Sequence, residues 1–216
     1  LGDGSALGVS IRYVEQTKIL GIASALGQME PYLDSPFFLL LGDIFFKAEG
    51  LDGMARMMEA RSASAVLATK DERDLEAIKR NFTVQQDGEG RVRRVIEKPR
   101  HVATHLKGCG LYLFDLPVFD AVRRTPRTAM RDEYEITDTI QIMVDDGLPV
   151  YTSEVVKWDV NLTSPADVLT CNLYELQQRG LDRLVGEGAR IHPGAKLSNV
   201  VVGPGAEVVH RARAAE

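Results

Sequence analysis

The chain has 216 residues, of which 44% are hydrophobic, 26% charged and 6% aromatic, with a formal net charge of −5. That length accommodates one α/β domain, or a domain with a small appendage, around a real core, and the composition excludes wholesale disorder. No apolar run approaches the ~20 residues of a membrane span, and the mild acidity argues against sequence-blind binding of nucleic acid.

The chain opens on Leu1 and a turn-rich Gly2-Asp3-Gly4-Ser5, without an initiator Met or a signal segment, and fades out through His210 to Glu216. Both ends are expected to be cuts in a longer protein. Residues 9–14 alternate as a strand would. Residues 21–33 carry Ile22, Ala25, Leu26, Met29 and Leu33 at helical spacing. The run Phe37-Phe38-Leu39-Leu40-Leu41 is apolar on both faces, as a central strand of a mainly parallel sheet should be, and it leads into Gly42-Asp43. A helix over 51–60, a strand over 64–69 and a short helix over 74–80 follow. Residues 82–86 and 92–97 flank Gly88-Glu89-Gly90 as a hairpin. Next come a buried strand over 110–114, helices over 118–124 and 135–145, and a strand over 150–156. Ser164-Pro165 then caps and opens a helix reaching about Gln178. Strands alternating with helices predict an α/β, Rossmann-like, mainly parallel sheet with a hairpin insertion.

From about Leu184 the texture changes. Aliphatic residues lead short units at Val185, Ile191 and Leu197, the first two containing Gly, and the period resumes at Val202 and Val208 after one short step. A six-residue period of this kind is the pattern of a left-handed parallel β-helix, a Gly-rich tail being the alternative. The domain division is therefore 1–180, an α/β domain, and 181–216, the beginning of a hexapeptide β-helix. Cys109 and Cys171 have no CxxC or His partner at ligand spacing. They read as free thiols of a reducing, cytoplasmic compartment.

Four places carry chemistry. Asp43 leaves the most hydrophobic strand at the carboxyl end, where open α/β sheets bind ligands, or else it caps a turn. Glu97-Lys98-Pro99 ends the second hairpin strand. A carboxylate that accepts hydroxyl protons beside an ammonium that neutralises phosphate suits a sugar phosphate, and a solvated charge pair is the plain alternative. Asp159, following Trp158, is a second carboxylate, and two oxygen ligands suit Mg²⁺. Gln16 and Gly21 frame a loop in which an amide side chain and an unobstructed backbone can read a base edge, unless it is only a surface loop.

In chain order Leu1-Gly2-Asp3-Gly4-Ser5, Gly8, Tyr13, Gln16, Gly21, Leu41-Gly42-Asp43, Glu97-Lys98-Pro99, Gly108-Cys109-Gly110-Leu111-Tyr112 and Glu135-Ile136-Thr137-Asp138 form one set. Over about residues 1–178 that set resembles the sugar-1-phosphate nucleotidyltransferases, most nearly the glucose-1-phosphate thymidylyltransferases. The resemblance implies transfer of a nucleotidyl group from an NTP, with dTTP or UTP favoured, to a sugar 1-phosphate, with Mg²⁺ as cofactor. It implies that Gln16 and Gly21 read a pyrimidine and that Asp43 and Asp159 hold the metal, Asp43 also binding nucleotide. Glu97 then holds sugar hydroxyls, Lys98 the sugar's phosphate, Gly110 lines the sugar pocket with Tyr112 just beyond, and Arg131 lies near the phosphates. It further implies a homo-oligomer, with neither a nucleic-acid polymer nor a membrane as partner.

The chain departs from the family pattern in three ways. Trp158 abuts Asp159 and Val160-Asn161 follows it, a small Gly is replaced around Phe82-Thr83, and the Gly-rich loop that cradles the triphosphate is expected before Leu1. The 216 residues alone are accordingly expected to be inactive. A non-catalytic regulatory or scaffold subunit is the alternative reading, and an acyltransferase in the β-helix, where His192 lies, a third.

Overall fold

The computed structural model describes residues 1–129 and 131–209, so the fading segment 210–216 lies outside the described residues. It divides into two compact units, Leu1–Leu41 with Phe46–Trp158, and Gly42–Phe45 with Asp159–Glu216.

In the first unit, a 3-10 turn at Ser5–Leu7 precedes a stretch without regular structure. The strand expected over 9–14 does not form. Ile11 N–H donates instead to Asp3 O at 2.7 Å and the Tyr13 hydroxyl to Gly2 O at 2.9 Å, so local ties replace the ladder that alternation alone cannot supply. Helix α1 covers Ile22–Gly27, and a separate 3-10 turn Glu30–Tyr32 takes up the rest of the expected 21–33 helix, because Pro31 brings no N–H to an α-helical ladder. Strand β1 follows at Phe37–Leu40 and β2 at Ile44–Ala48, the latter not foreseen. Then come α2 (Asp52–Arg61), β3 (Ala65–Asp71), and α3 (Leu75–Arg80), whose cap Asp74 accepts the Glu76 N–H at 2.9 Å. The hairpin is β4 (Phe82–Gln86) and β5 (Val92–Glu97), as its turn residues require. Strand β6 (Leu106–Phe114) starts four residues earlier than expected, and α4 (Val118–Arg124) and α5 (Ile136–Asp145) lie where periodicity puts them. The expected 150–156 strand is two, β7 (Val150–Ser153) and β8 (Val156–Asn161).

Strands β5, β4, β6, β3 and β7 lie side by side in that order, and β1 also pairs with β6. One edge of β6 carries β3. Its other edge is shared, with β4 at Lys107 and β1 at 111–114. The sheet is mixed, which corrects the mainly parallel sheet read from the sequence. Only β3 with β7 is parallel, while β1–β6, β3–β6, β4–β5 and β4–β6 are antiparallel. Burial on both faces makes a strand uniformly apolar whichever way its neighbours run, so the pattern of β6 could not report direction. Strand β1, expected to be buried on both faces, leaves Phe38 and Leu40 exposed on one.

Two cores sandwich the sheet. On one face Leu26, Leu67, Val84, Phe114, Ile140, Met143 and Val150 gather under α1, α4 and α5, with Phe82, Tyr112 and Phe114 stacked at ring separations of 6.1 and 5.5 Å. On the other, Met54 and Met58 of α2 cover Val66, Cys109, Leu111 and Leu113. Each fully buried side chain of this size contributes about 1.5–3 kcal/mol, which fixes the strand ends against small shifts. The Phe82 ring leaves no room at Gly108, where an added Cβ would sit 1.8 Å from Cζ.

Strands β2 and β8 form a two-stranded ribbon, and the division between units runs through both strands. In the second unit, α6 (Pro165–Gln178) begins as the sequence predicts, with Ser164 N–H donating to the Asp167 carboxylate at 2.7 Å. Beyond it β9 (Arg183–Val185) pairs in parallel with β11 (Val200–Val202), and β10 (Arg190–Ile191) with β12 (Glu207–Val208). Both pairings join residues seventeen apart. Among the described residues no helix is long and apolar enough to cross a membrane.

Candidate active site

In the first unit the structure draws together residues that the sequence separates. Glu97 closes β5, and the Arg131 guanidinium reaches across to it, Nη2 to Oε1 at 3.0 Å. Arg131 Nε also stands 3.2 Å from Oε1 of Glu135, a 7%-exposed residue at the N-cap of α5. Burial pulls the Arg131 guanidinium down, but the hydrogen bond to Glu97 and the charges of Glu135, Glu97 and Glu133 outweigh it and hold it above its ordinary value. Burial pushes the Glu135 carboxyl up. Arg131 opposes this, and Glu97, Glu133 and Asp138 add to it. Burial likewise raises Asp138, against Arg131.

Lys98 is exposed and turns out of the strand at φ 42°, a left-handed conformation that a non-glycine residue adopts only at a cost. Its N–H is fixed on Asn81 O at 2.7 Å, and the buried Pro99 ends the ladder. The motif thus presents a carboxylate and an ammonium at the end of β5, with a second cation alongside. Gly110, at φ 64° and buried in β6, accepts the Leu41 N–H at 3.0 Å. Tyr112, two residues on, is stacked in the core, and burial, then Glu97 and Cys109, raise its phenol.

Gln16 is half-buried, and its Nε2 donates to Gly21 O at 3.3 Å, closing the loop the sequence picked out. Gly21 sits at φ 96° where a Cβ would meet Tyr134 O at 2.6 Å. Tyr134 N–H donates to Leu20 O at 2.7 Å and Ala23 N–H to Tyr134 O at 3.1 Å. The glycine is therefore demanded by the close approach of the segment carrying Arg131 and Glu135, and the Gln16–Gly21 loop is bound to that segment through backbone.

In the second unit Asp43 lies exposed in the turn after β1, and its carbonyl accepts the Leu162 N–H at 2.7 Å. Asp159 is buried within β8, where the sequence had placed it beyond a strand end. Among the described residues no group of three or more His, Cys, Asp or Glu is arranged to hold a metal. A pair of hard carboxylates still fits Mg²⁺, which commonly takes one or two protein carboxylates and fills its octahedron with phosphate oxygens and water.

Sequence reasoning did not assign roles to Glu135 and Asp138. Their spacing, three apart at the start of an amphipathic helix, signalled that both would face the same way. It also passed over Lys107, 3% exposed in β6 opposite Lys70 and Thr83, a charge in an otherwise apolar strand.

The mixed sheet between its helices defines an α/β protein, with Arg131 drawn to Glu97 at the end of β5. The chain belongs to the nucleotidyl transferase family, whose profile matches residues 1–160. It is 33% identical over 184 residues to the low-salt glycan biosynthesis nucleotidyltransferase Agl11 of Haloferax volcanii, covering 85% of this chain and 50% of that protein. It is 31% identical over 226 residues to a glucose-1-phosphate thymidylyltransferase of Streptomyces antibioticus, covering 96% and 62%. The chain thus spans about half to two thirds of the length of these curated relatives. A Bacillus anthracis candidate glucose-1-phosphate thymidylyltransferase solved with a sucrose shares the fold, with a TM-score of 0.69 at 24% identity over 80% of this chain and 68% of that one.

Proposed function

We propose that the protein carrying this chain transfers a nucleotidyl group from an NTP, dTTP or UTP being favoured, to a sugar 1-phosphate for nucleotide-sugar biosynthesis. The observation that carries this reading is the convergence of Glu97, Lys98 and Arg131, with the 3.0 Å bond between residues 34 apart. Glu97 accepts from sugar hydroxyls, and Lys98 and Arg131 neutralise the phosphate. A phosphate oxygen of the sugar phosphate attacks the α-phosphorus in line, the bond from that phosphorus to the bridging oxygen breaks, and pyrophosphate departs with the electron pair. The nucleophile is already an anion, so no general base is needed, and the protein's contribution is positioning and charge. Gln16 and the backbone at Gly21 read the pyrimidine edge. Asp43 and Asp159 would hold Mg²⁺, which supplies charge neutralisation on phosphate oxygens when bound.

Of the appendage expected over 181–216, the described residues 181–209 begin a left-handed hexapeptide β-helix in this reading. Support comes from the two parallel pairings of identical step and from Gly186, where a Cβ would lie 2.4 Å from Pro204 N, as a tight solenoid corner demands. Both cysteines are free thiols, in keeping with a cytoplasmic setting.

Lys98→Ala tests the reading. A charge-assisted contact to phosphate is worth roughly 1.5–3 kcal/mol, so KM for glucose 1-phosphate should rise about 10- to 150-fold with NTP binding little changed. Equal losses for both substrates would reassign Lys98. Binding without any pyrophosphate release in the unsubstituted protein would favour a regulatory subunit.

A further inference from the structure

We propose that Glu135 is a positioning residue that fixes Arg131 for the sugar phosphate, while the tie from Arg131 to Glu97 is the one that opens when substrate arrives; this rests on the sugar-phosphate reading above. The guanidinium has five N–H groups in a rigid fork. Its Nε stands 3.2 Å from Glu135 Oε1 in an ion pair without hydrogen-bond alignment, and Nη2 donates to Glu97 at 3.0 Å. Among the described residues Nη1 donates no hydrogen bond, which leaves the outer edge of the fork with donors for phosphate oxygens.

The two anchors differ in kind. Glu135 begins α5, whose Ile136, Ile140 and Met143 are set in the core, so it cannot follow a moving partner. Glu97 is the last residue of β5 and about a quarter exposed, and the sugar hydroxyls compete for it.

The arrangement is also costly. Glu97, Glu133, Glu135 and Asp138 all act on one guanidinium, and burial raises both Glu135 and Asp138. An ion pair kept only for stability would be better replaced by apolar packing. Carboxylates retained at such a cost beside a single arginine mark a group whose orientation matters.

Glu135→Gln, which keeps shape and removes charge, is the test, read by calorimetric titration of glucose 1-phosphate and by ¹⁵N NMR of the Arg131 Nε–H. Affinity should fall about tenfold, the order parameter of the Arg131 Nε–H should drop as the guanidinium loses its ion-pair partner, and nucleotide affinity should stay within twofold. In an Arg131→Ala background the Glu135→Gln change should add nothing, because Glu135 acts through Arg131. An additive loss, or an unchanged Nε–H, would overturn the positioning role. Should Lys98→Ala weaken glucose 1-phosphate binding while Arg131→Ala and Glu135→Gln do not, the positioning role fails and the sugar-phosphate reading stands. Absence of any glucose 1-phosphate binding by the unsubstituted protein overturns both.

Discussion

Replacing Lys98 once by Gly and once by Ala separates its ammonium from its backbone. Both variants lose the cation, and they differ in how they tolerate φ 42°. A residue with a Cβ in the left-handed region costs about 1–2 kcal/mol, which Gly avoids, while Gly gives back about 0.4–1 kcal/mol through the freedom of the unfolded chain. The backbone cannot relax in the Ala variant, since the Lys98 N–H is held on Asn81 O at 2.7 Å and Pro99 is buried behind it. Lys98→Gly should therefore be more stable than Lys98→Ala by about 0.5–1 kcal/mol, or roughly 1–4 °C in Tm for a chain of this size. Urea unfolding with unchanged m-value, alongside thermal melts, reads the difference. Glucose 1-phosphate affinity should drop equally in both. A Gly variant no more stable than the Ala variant would refute the claim that strain is held at this position.

Gly108→Ala should cost at least about 1–3 kcal/mol, because its Cβ would lie 1.8–2.2 Å from the Phe82 ring. Adding Phe82→Leu should recover part of that loss, and strict additivity in urea melts would show that the ring is not what Gly108 accommodates. Asp138→Asn addresses a carboxyl whose folded-state pKa is raised, by burial first and despite Arg131. A raised acid favours the fold in its protonated form, below the ordinary value of 3.8, and that contribution is lost as pH rises through the folded pKa. The substitution should thus raise Tm at pH 7 with a gain that shrinks as pH falls towards 4, and a loss of Tm at pH 7 would contradict the burial argument.

What the sequence disclosed was local. Helix α6 was legible because Ser164 and Pro165 announce its start, and the hairpin because Gly88-Glu89-Gly90 separates two runs of strand character. The extent of α4 came from its apolar spacing alone. Direction and partnership were not legible. Strand β6 serves three neighbours along its length, and nothing in Leu111-Tyr112-Leu113-Phe114 says that β1 and β3 run opposite to it. Residues 9–14 alternate perfectly well for a strand, yet the first turn captures them through Ile11 and Tyr13. At the site the motifs named Glu97, Lys98 and Arg131, but the tie between Glu97 and Arg131 spans a hairpin end, a strand and a helix, a distance that spacing cannot encode.

Several residues that local rules would reject lie in the first unit. Lys98 takes a glycine's conformation, Gly21 is pressed onto the Tyr134 backbone, Gly110 sits at positive φ inside a buried strand, and Glu135 and Asp138 are carboxylates that burial disfavours. Others lie apart from these, with Lys107 buried in β6 and Ser62 at φ 47° after α2, while the two methionines of α2 and the stacked rings of β6 agree with their sequences. A chain selected for stability alone would relieve such strains one at a time, since each is removable by a single substitution. Those on Lys98 and on Glu135 and Asp138 are of the kind that the anion site proposed above would require. Charge must be held in place before the ligand arrives, because the cost of orienting it afterwards would come out of binding. The conflicts that fall on the residues proposed to hold the sugar phosphate therefore support that proposal beside the motifs, and they do so from energies rather than likeness.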